Sequence, residues 1–280
     1  MVCLVTGATG TFGQAFLERL QGDWVLRAFS RDEVKQSELR ERFPFVRWLI
    51  GDVRDLGRLR RACDGVDVVV HAAALKQVPS CEYNPGECIK TNVDGTRNVV
   101  EACLDAGVSK AVFISSDKAV HPVNIYGASK LCAEKLWLAS NAYGGDTSKF
   151  SVVRYGNVRG SRGSVLEAKK IVSLTDRRAT RFWMDVSEAV DLVLLAFEHM
   201  AGGEVFVPKI ASALVADVIR HNGVETGLRP GEKLHERLIS DEEVSRTFDC
   251  GDHYRVCDYR PDLSERVSEG FFYGSEAVTA

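Results

Sequence analysis

Apolar residues fall in short blocks through the first 160 positions, with longer amphipathic stretches between them. The blocks at 1–6, 24–29, 46–50, 66–70, 111–114 and 150–154 are rich in Val, Ile, Leu and Phe and end at turn-forming or charged residues, which predicts strands. The block at 66–70 is dominated by valine, the composition of a parallel strand buried on both faces. Between the strands, helical periodicity predicts helices over 14–20, 55–62 and 89–106, the last stopping at Gly107, a residue suited to a left-handed cap. Such alternation predicts an α/β fold, a Rossmann-type doubly wound parallel sheet. Beyond residue 160 the pattern weakens. Residues 161–181 are polar and basic, 189–200 read as a helix, 204–207 as a strand, and 227–236 as a charged loop opening into a helix. The expected organisation is a nucleotide-binding domain over 1–160, completed by about 181–207, with a smaller C-terminal substrate-binding lobe from 161–180 and 208–280.

The first strand runs into Gly7, Thr9, Gly10, Thr11, Phe12 and Gly13. Glycine at every third position lets backbone approach a pyrophosphate, which the N–H groups of a helix N-terminus then stabilise. Spacing alone is weak evidence, but placement between the first strand and the first helix makes it a dinucleotide site. At the end of the second strand stand Ser30 and Arg31, where an NAD binder usually carries an acid for the ribose 2′-hydroxyl. Arg31 suits a 2′-phosphate, so NADP is expected over NAD, although Asp32 follows it. Asp52, next to Val53, is placed either to accept from the adenine amine or to cap the helix over 55–62. Ala72, Ala73 and Ala74 would let a cofactor cross the sheet edge, Lys76 either points a cation at the same crevice or is solvated, and Asn92 lies on the long helix.

Residues 115–130, SSDKAVHPVNIYGASK, concentrate the candidate chemistry. Tyr126 and Lys130 are four apart, so on a helix they share one face and can address one volume. A phenol beside an ammonium loses its proton more easily, which would make the pair a proton-transfer device. The same spacing occurs on many ordinary helices. Context favours chemistry: Ser115, Ser116, Asp117 and Lys118 follow a buried strand, at the edge where open α/β sheets place ligands.

Gly7xxGly10xxGly13, the Tyr126xxxLys130 pair and Asp52 together resemble the extended short-chain dehydrogenase/reductases. More narrowly, SSDKAVHPVNIYGASK, RYGNVRGSRGSV (154–165), TRFW (180–183), EVFVPK (204–209) and RPGEKLHE (229–236) resemble the inverting UDP-N-acetylglucosamine 4,6-dehydratases, with a likeness running from residue 2 to about 257. The longer, membrane-anchored dehydratases that retain C5 configuration carry methionine where this chain has Tyr126, so the resemblance is to the inverting type. Two departures stand near the expected sugar site: His121 replaces the usual asparagine, and the stretch from 163 to 180 is short.

The resemblance implies an internal redox cycle: hydride leaves sugar C4 for NADP, water is lost across C5–C6, and hydride returns to C6. Tyr126 with Lys130 would take the 4-hydroxyl proton, a neutral Lys118 the C5 proton, and a protonated Asp117 would protonate the departing C6 hydroxyl. Burial can supply both shifts. Ser116 would hydrogen-bond the sugar or Tyr126. Ser115, Tyr155, Gly156, Asn157 and Val158 would line the cofactor site. The UDP-sugar would be held by Lys76, Asn157, Arg181, Lys209, Arg229 and Glu232. Alternatives are a UDP-sugar 5,6-dehydratase releasing an exocyclic alkene, a 4-epimerase, for which the Asp117–Lys118 pair is superfluous, and a non-catalytic NADP-sensing regulator, from which the Tyr–Lys pair is often lost.

Composition narrows the picture further. The 280 residues are 45% hydrophobic and 27% charged with a net charge of −3, and the cations are scattered, which argues against a nucleic-acid partner. Apolar runs fall short of a membrane span and no signal peptide is evident, so a cytoplasmic protein, away from the membrane, is expected. The eight cysteines lack any CxxC spacing and read as reduced core thiols without a metal role. Extended relatives commonly form dimers or higher homo-oligomers.

Overall fold

A computed structural model describes residues 1–161, 172–219, 221–262 and 264–277. Strands β1 (Val2–Thr6), β2 (Val25–Ser30), β3 (Arg47–Ile50), β4 (Val68–His71), β5 (Lys110–Ile114) and β6 (Lys149–Val153) run parallel in the order β3-β2-β1-β4-β5-β6. That is the dinucleotide-binding order, with its crevice where the order reverses between β1 and β4. Each residue of β4 is buried, as a strand covered on both faces requires. The connecting helices are α1 (Thr11–Arg19), α2 (Glu33–Arg42), α3 (Leu56–Cys63), α4 (Val78–Tyr83), α5 (Pro85–Ile89), α6 (Gly95–Ala106), α7 (Ile125–Ala139) and α8 (Asn141–Gly144).

Two local departures from the expected pattern matter later. The helix expected over 89–106 is α5 and α6 joined by a π turn, Lys90–Asp94. Its extra residue lets Asn92 face the loop after β4. Gly107 caps α6 at φ +64°, the left-handed conformation that glycine adopts without cost.

The remainder comprises β7 (Asn157–Val158), β8 (Val172–Leu174), β9 (Thr180–Met184), α9 (Val186–His199), β10 (Val205–Pro208), β11 (Ser212–Leu214), α10 (Val215–Val218), β12 (His221–Glu225), β13 (Thr247–Asp249), β14 (His253–Val256) and β15 (Glu265–Arg266). β10 joins β6 in parallel, and β14, β13 and β15 extend the same sheet antiparallel, giving ten strands. The central sheet thus does not end near residue 208; part of the expected lobe continues it. No helix follows the charged loop at 227–236: the chain stays irregular to a 3₁₀ turn at Asp241–Arg246. Its carbonyls are used elsewhere, with Lys233 and Leu234 accepting from Arg181 and Gly231 from Asn124.

One buried ion cluster ties the lobe to the sheet. Arg154, at the end of β6, donates to both oxygens of Glu134 on α7 (3.1 and 2.7 Å), both oxygens of Glu243 (2.8 and 3.0 Å) and the Leu238 carbonyl (2.9 Å). Two carboxylates and a carbonyl satisfy the fork of a guanidinium that is itself buried, the arrangement a desolvated charge needs. All eight cysteines are free, but Cys132, expected in the core, is exposed on α7. Among the described residues no helix is long and apolar enough to cross a membrane.

Candidate active site

A cleft of about 580 Å³ opens along the C-terminal ends of β1, β2, β4 and β5. Gly7, at φ +68°, lies against the loop after β4 so closely that a Cβ there would stand 2.8 Å from the Ala73 nitrogen. A Cβ on Gly13 would meet Ala8 at 2.5 Å, so that glycine serves the packing of α1 against the loop. Gly10 is the N-cap of α1, and no side chain caps it. The helix N-terminus therefore faces the cleft, the place for an anion. Thr9, Thr11, Phe12, Val53, Ala72, Ala73, Ala74 and Lys76 line the same space, with Tyr155, Gly156, Asn157 and Val158 opposite. Ser115 also lines it, and its buried Oγ has no partner among the described residues. A crevice with bare glycines, an uncapped helix start and an orphaned hydroxyl fits a dinucleotide.

Ser30, Arg31, Asp32 and Lys35 line the cleft at the end of β2. Asp32 is committed to capping α2: its carboxylate accepts from the Lys35 backbone at 3.0 Å and pairs with the Lys35 ammonium. Asp52 does not line the cleft. Its carboxylate accepts from the Arg54 backbone and guanidinium, with Arg31 at 3.8 Å, while Asp55 caps α3. Asn92 is likewise set back: it bonds both backbone groups of Leu75 (2.8 and 2.9 Å) and the Ser129 hydroxyl (2.9 Å), pinning the β4 loop to α7.

The proton-handling groups converge as the spacing implies, with different electrostatics. Asn124 caps α7 through the Gly127 N–H at 2.7 Å, and a side chain on Gly127 would collide with the Lys118 carbonyl, so the 3₁₀ turn Asp117–Ala119 lies directly on the helix start. This brings Ser116, Lys118, Tyr126 and Lys130 to one wall of the cleft. The expected acidified phenol is absent from this unliganded chain: burial pushes the Tyr126 hydroxyl up to about 12, and Lys118 and Ser116 pull it back only in part. Lys130 contributes little charge to it. Its Nζ donates to the Ile114 carbonyl at 2.6 Å and lies over the Phe113 ring, and burial brings it down to about 7, against the pull of Glu134.

Asp117 is wholly buried and stands behind Ser116 and Lys118 rather than in the cleft wall. Its Oδ1 accepts from Ser116 Oγ at 2.8 Å and Lys118 Nζ at 3.1 Å; its Oδ2 has no partner among the described residues. Burial, reinforced by Glu236 and opposed by Lys118, holds its pKa above the usual carboxylate range. The neutral Lys118 expected from burial is not what the structure holds. Burial does pull its ammonium down, but Asp117 and Glu236 outweigh it and raise it.

The expected substrate anchors separate into groups. Lys76 and Asn157 line the cleft. Arg181 is buried in the lobe, spending its donors on the carbonyls of Thr180, Leu234 and Lys233, with Glu232 at 3.4 Å. Arg229 is exposed and bonds Glu232 at 3.1 Å. Lys209 lies outside the cleft, paired with Asp249 at 2.7 Å and stacked on Tyr254. His121 sits at φ +43°, a left-handed conformation favoured by asparagine, and contacts Glu242 at 3.1 Å. Much of the short stretch at 163–180 lies outside the described residues. Two groups not expected from the sequence belong to the site: Trp183, which lines the cleft with its buried indole nitrogen unpartnered among the described residues, and Glu236, beside Lys118. Both sit in the quoted motifs TRFW and RPGEKLHE, which was their one signal.

Comparison with known proteins gives a consistent picture. A family described as polysaccharide biosynthesis protein matches residues 3–258. The chain is 42% identical to a UDP-N-acetylglucosamine 4,6-dehydratase (inverting) of Campylobacter jejuni, over 98% of this chain and 92% of that one. It is also 42% identical to a protein of Rickettsia bellii named UDP-glucose 4-epimerase, over 90% of this chain and 82% of that one. The X-ray structure of Pen from Bacillus thuringiensis superposes with a TM-score of 0.93 at 34% identity, covering 100% of this chain and 94% of its own. Solved structures of this fold also include one with UDP-glucose and NAD bound, at 25% identity, a TM-score of 0.71 and coverage of 83% of this chain and 87% of its own.

Proposed function

The chain belongs to the polysaccharide biosynthesis protein family within the extended short-chain dehydrogenase/reductases, and from that premise we propose a C5-inverting UDP-N-acetylglucosamine 4,6-dehydratase. The observation that carries the reading is the Asp117–Lys118 turn held on the start of the Tyr126 helix, beside a dinucleotide cleft. Exchange of configuration at C4 needs a proton acceptor for one hydroxyl. Loss of water needs two more groups, a base for C5–H and an acid for the C6 hydroxyl, and this wall carries candidates for both. That favours dehydration over the 4-epimerase activity named for the Rickettsia relative.

The cofactor is a nicotinamide dinucleotide, which when bound supplies the hydride acceptor and donor. The chain's residues handle the protons. Tyr126 takes the proton of the 4-hydroxyl; Lys118, having passed its own proton to Asp117 Oδ1 3.1 Å away, takes the C5 proton that the 4-keto group has acidified, and Asp117 protonates the leaving C6 hydroxyl. Because Asp117 stands behind Ser116, the Ser116 hydroxyl, bonded to Asp117 Oδ1, is the relay into the cleft. Asn157 and Lys76 face the sugar and diphosphate. Arg229 and Glu232 receive the uridine diphosphate from the lobe, and Arg181 shapes their loop through its carbonyl contacts. Cytoplasmic location and assembly as a homo-oligomer are part of the same reading.

NADP is favoured over NAD, because Asp32 is occupied as a helix cap and in a pair with Lys35 while Arg31 edges the cleft beside Ser30. Arg31→Ala should weaken NADP binding about tenfold or more, the worth of one charge-assisted phosphate contact, and leave NAD binding unchanged. Equal losses for both cofactors in a fluorescence titration would refute the assignment.

The function itself is tested by incubating the protein with UDP-N-acetylglucosamine and recording product mass and proton NMR. Loss of one water with a C6 methyl doublet is expected. Vinylic protons would instead identify an alkene-releasing 5,6-dehydratase, and a 4-epimer without water loss an epimerase. Absence of turnover across UDP- and dTDP-sugars with cofactor bound would favour the regulator.

A further inference from the structure

Lys118 is held from two sides by carboxylates of unrelated origin. Asp117 Oδ1 lies 3.1 Å from its Nζ on the same turn, and Glu236 Oε1 lies 3.4 Å away, brought in by the lobe loop that follows Arg229. Glu236 is 2% exposed. Its backbone is clamped by Ser275, whose Oγ accepts from the Glu236 N–H at 2.9 Å and whose N–H donates to the Glu236 carbonyl at 2.8 Å. Its second oxygen faces Lys233 Nζ at 3.2 Å, and Lys233 in turn donates to the Val120 carbonyl at 2.6 Å. The charged groups around Lys118 are thus Asp117, Glu236 and, further out, Arg181 and the Tyr126 hydroxyl; those around Glu236 are Lys118, Lys233 and Arg181.

Lys130 shows what burial does to a lysine here with less help. It is more deeply buried than Lys118, has Glu134 as its carboxylate, and falls to about 7, whereas Lys118, partly exposed and with two carboxylates, rises.

We propose that Glu236 is a positioning residue that works with Lys118 as a dyad, aiming its Nζ at the cleft and stabilising the ammonium formed when Lys118 takes a proton from carbon. This rests on the dehydratase reading above. In that step the Lys118 ammonium passes a proton to Asp117 Oδ1, 3.1 Å away; the C5–H bond then breaks, its proton passes to the neutral Lys118 so formed, and its electron pair enters the C4–C5 enolate. Collapse of the enolate expels the C6 hydroxyl, which leaves as water with the proton of Asp117. Glu236 touches neither sugar nor cofactor. Since the lobe delivers it, the lobe's seating on Ser116–Val120 sets the strength of the base.

The test uses Glu236→Gln, nearly isosteric, with two readouts. In the cofactor-loaded protein without sugar, 13Cε-lysine NMR follows Lys118 through pH; removing an opposite charge at this distance should lower its titration by about one to three pH units. In turnover, the rising limb of kcat/KM against pH should move the same way, and Glu236→Asp should restore it. Lys233→Met removes a cation beside Glu236, so it should move the Lys118 titration towards alkaline pH, opposite in sign; this variant also decides the matter if Glu236→Gln does not fold. Titrations unmoved in the variants, with dehydration intact, overturn the dyad while leaving the dehydratase reading standing. If the unmodified protein does not dehydrate UDP-N-acetylglucosamine, that reading falls, and the NMR shift alone decides whether Glu236 governs Lys118.

Discussion

Tyr126→Phe should lower turnover of UDP-N-acetylglucosamine about 10³-fold and stop it at the first step, with no reduced nicotinamide appearing on mixing enzyme and sugar. The variant removes one oxygen and keeps the ring, which packs with Cys81 and Cys88 in a small cluster under α4 and α5, so the fold and cofactor binding are retained. What is lost is the acceptor for the 4-hydroxyl proton, and a positioned acid–base group contributes about 10² to 10⁴. The upper part of that range applies because the neighbouring groups cannot substitute. Lys130 points at the Ile114 carbonyl and Asp117 lies behind Ser116. Burial pushes the phenol up to about 12, and Lys118 and Ser116, which pull it back in part, are the groups of this chain that assist its ionisation. A stopped-flow absorbance trace checks this; a Phe variant that still reduces the cofactor within tenfold of the normal rate would remove Tyr126 from the chemistry.

The parts of this molecule that could be read from sequence are those fixed by neighbours in the chain. Apolar blocks bounded by turns became β1 to β6, and in β4, valine-rich and buried on both faces, the pattern admits little else. Gly7, Gly10 and Gly13 mark a turn whose backbone needs are local, and Tyr126 and Lys130 share a face through helix geometry alone. Boundaries shifted by a few residues: α1 begins at Thr11 rather than 14, directly on the Gly10 cap.

What sequence could not supply was the partner of each charge. Arg181, Lys209 and Asp52 all looked like ligand groups by type and position. Each is instead satisfied by groups that only the folded chain brings to it or orients: loop carbonyls 52 and 53 residues away for Arg181, Asp249 for Lys209 and Arg54 for Asp52. The helix expected to follow the charged loop at 227–236 does not form, and the loop's carbonyls at 231, 233 and 234 accept instead from Asn124 and Arg181. Glu236 is the converse case, an unremarked acid that folding carries to within reach of Lys118, 118 positions earlier in the chain by subtraction of their numbers. Burial alone predicts a neutral Lys118; two carboxylates reverse the sign, and a sequence does not reveal that the second one is there.

The complementary expectation concerns Lys118→Ala, which should lower dehydration about 10³-fold and yet leave the first oxidation measurable. Lys118 pulls the Tyr126 hydroxyl down only in part, so the first oxidation should slow but persist, and mixing enzyme with sugar should still reduce bound nicotinamide in a burst of no more than one equivalent per site. Without a base the C5 proton stays, the 4-keto sugar does not lose water, and the hydride has no acceptor at C6. The substitution also leaves Asp117 and Glu236 facing one another without the cation that separates their charges. Two buried like charges cannot both persist, so one takes up a proton, and Asp117, already raised by burial, is the one that does. Removing one member of a buried ion group costs about 3–5 kcal/mol when the other stays charged. Protonation of Asp117 relieves part of that, so the variant should fold, with a lower Tm that recovers as pH falls and the proton becomes easier to take up. The sign follows from the raised carboxyl: the folded variant binds more protons than the unfolded chain, so its stability increases towards acid. Rapid-quench mass analysis with single-turnover absorbance separates the two half-reactions. Dehydration retained within tenfold would reduce Asp117 and Lys118 to a turn that merely shapes the loop before Tyr126.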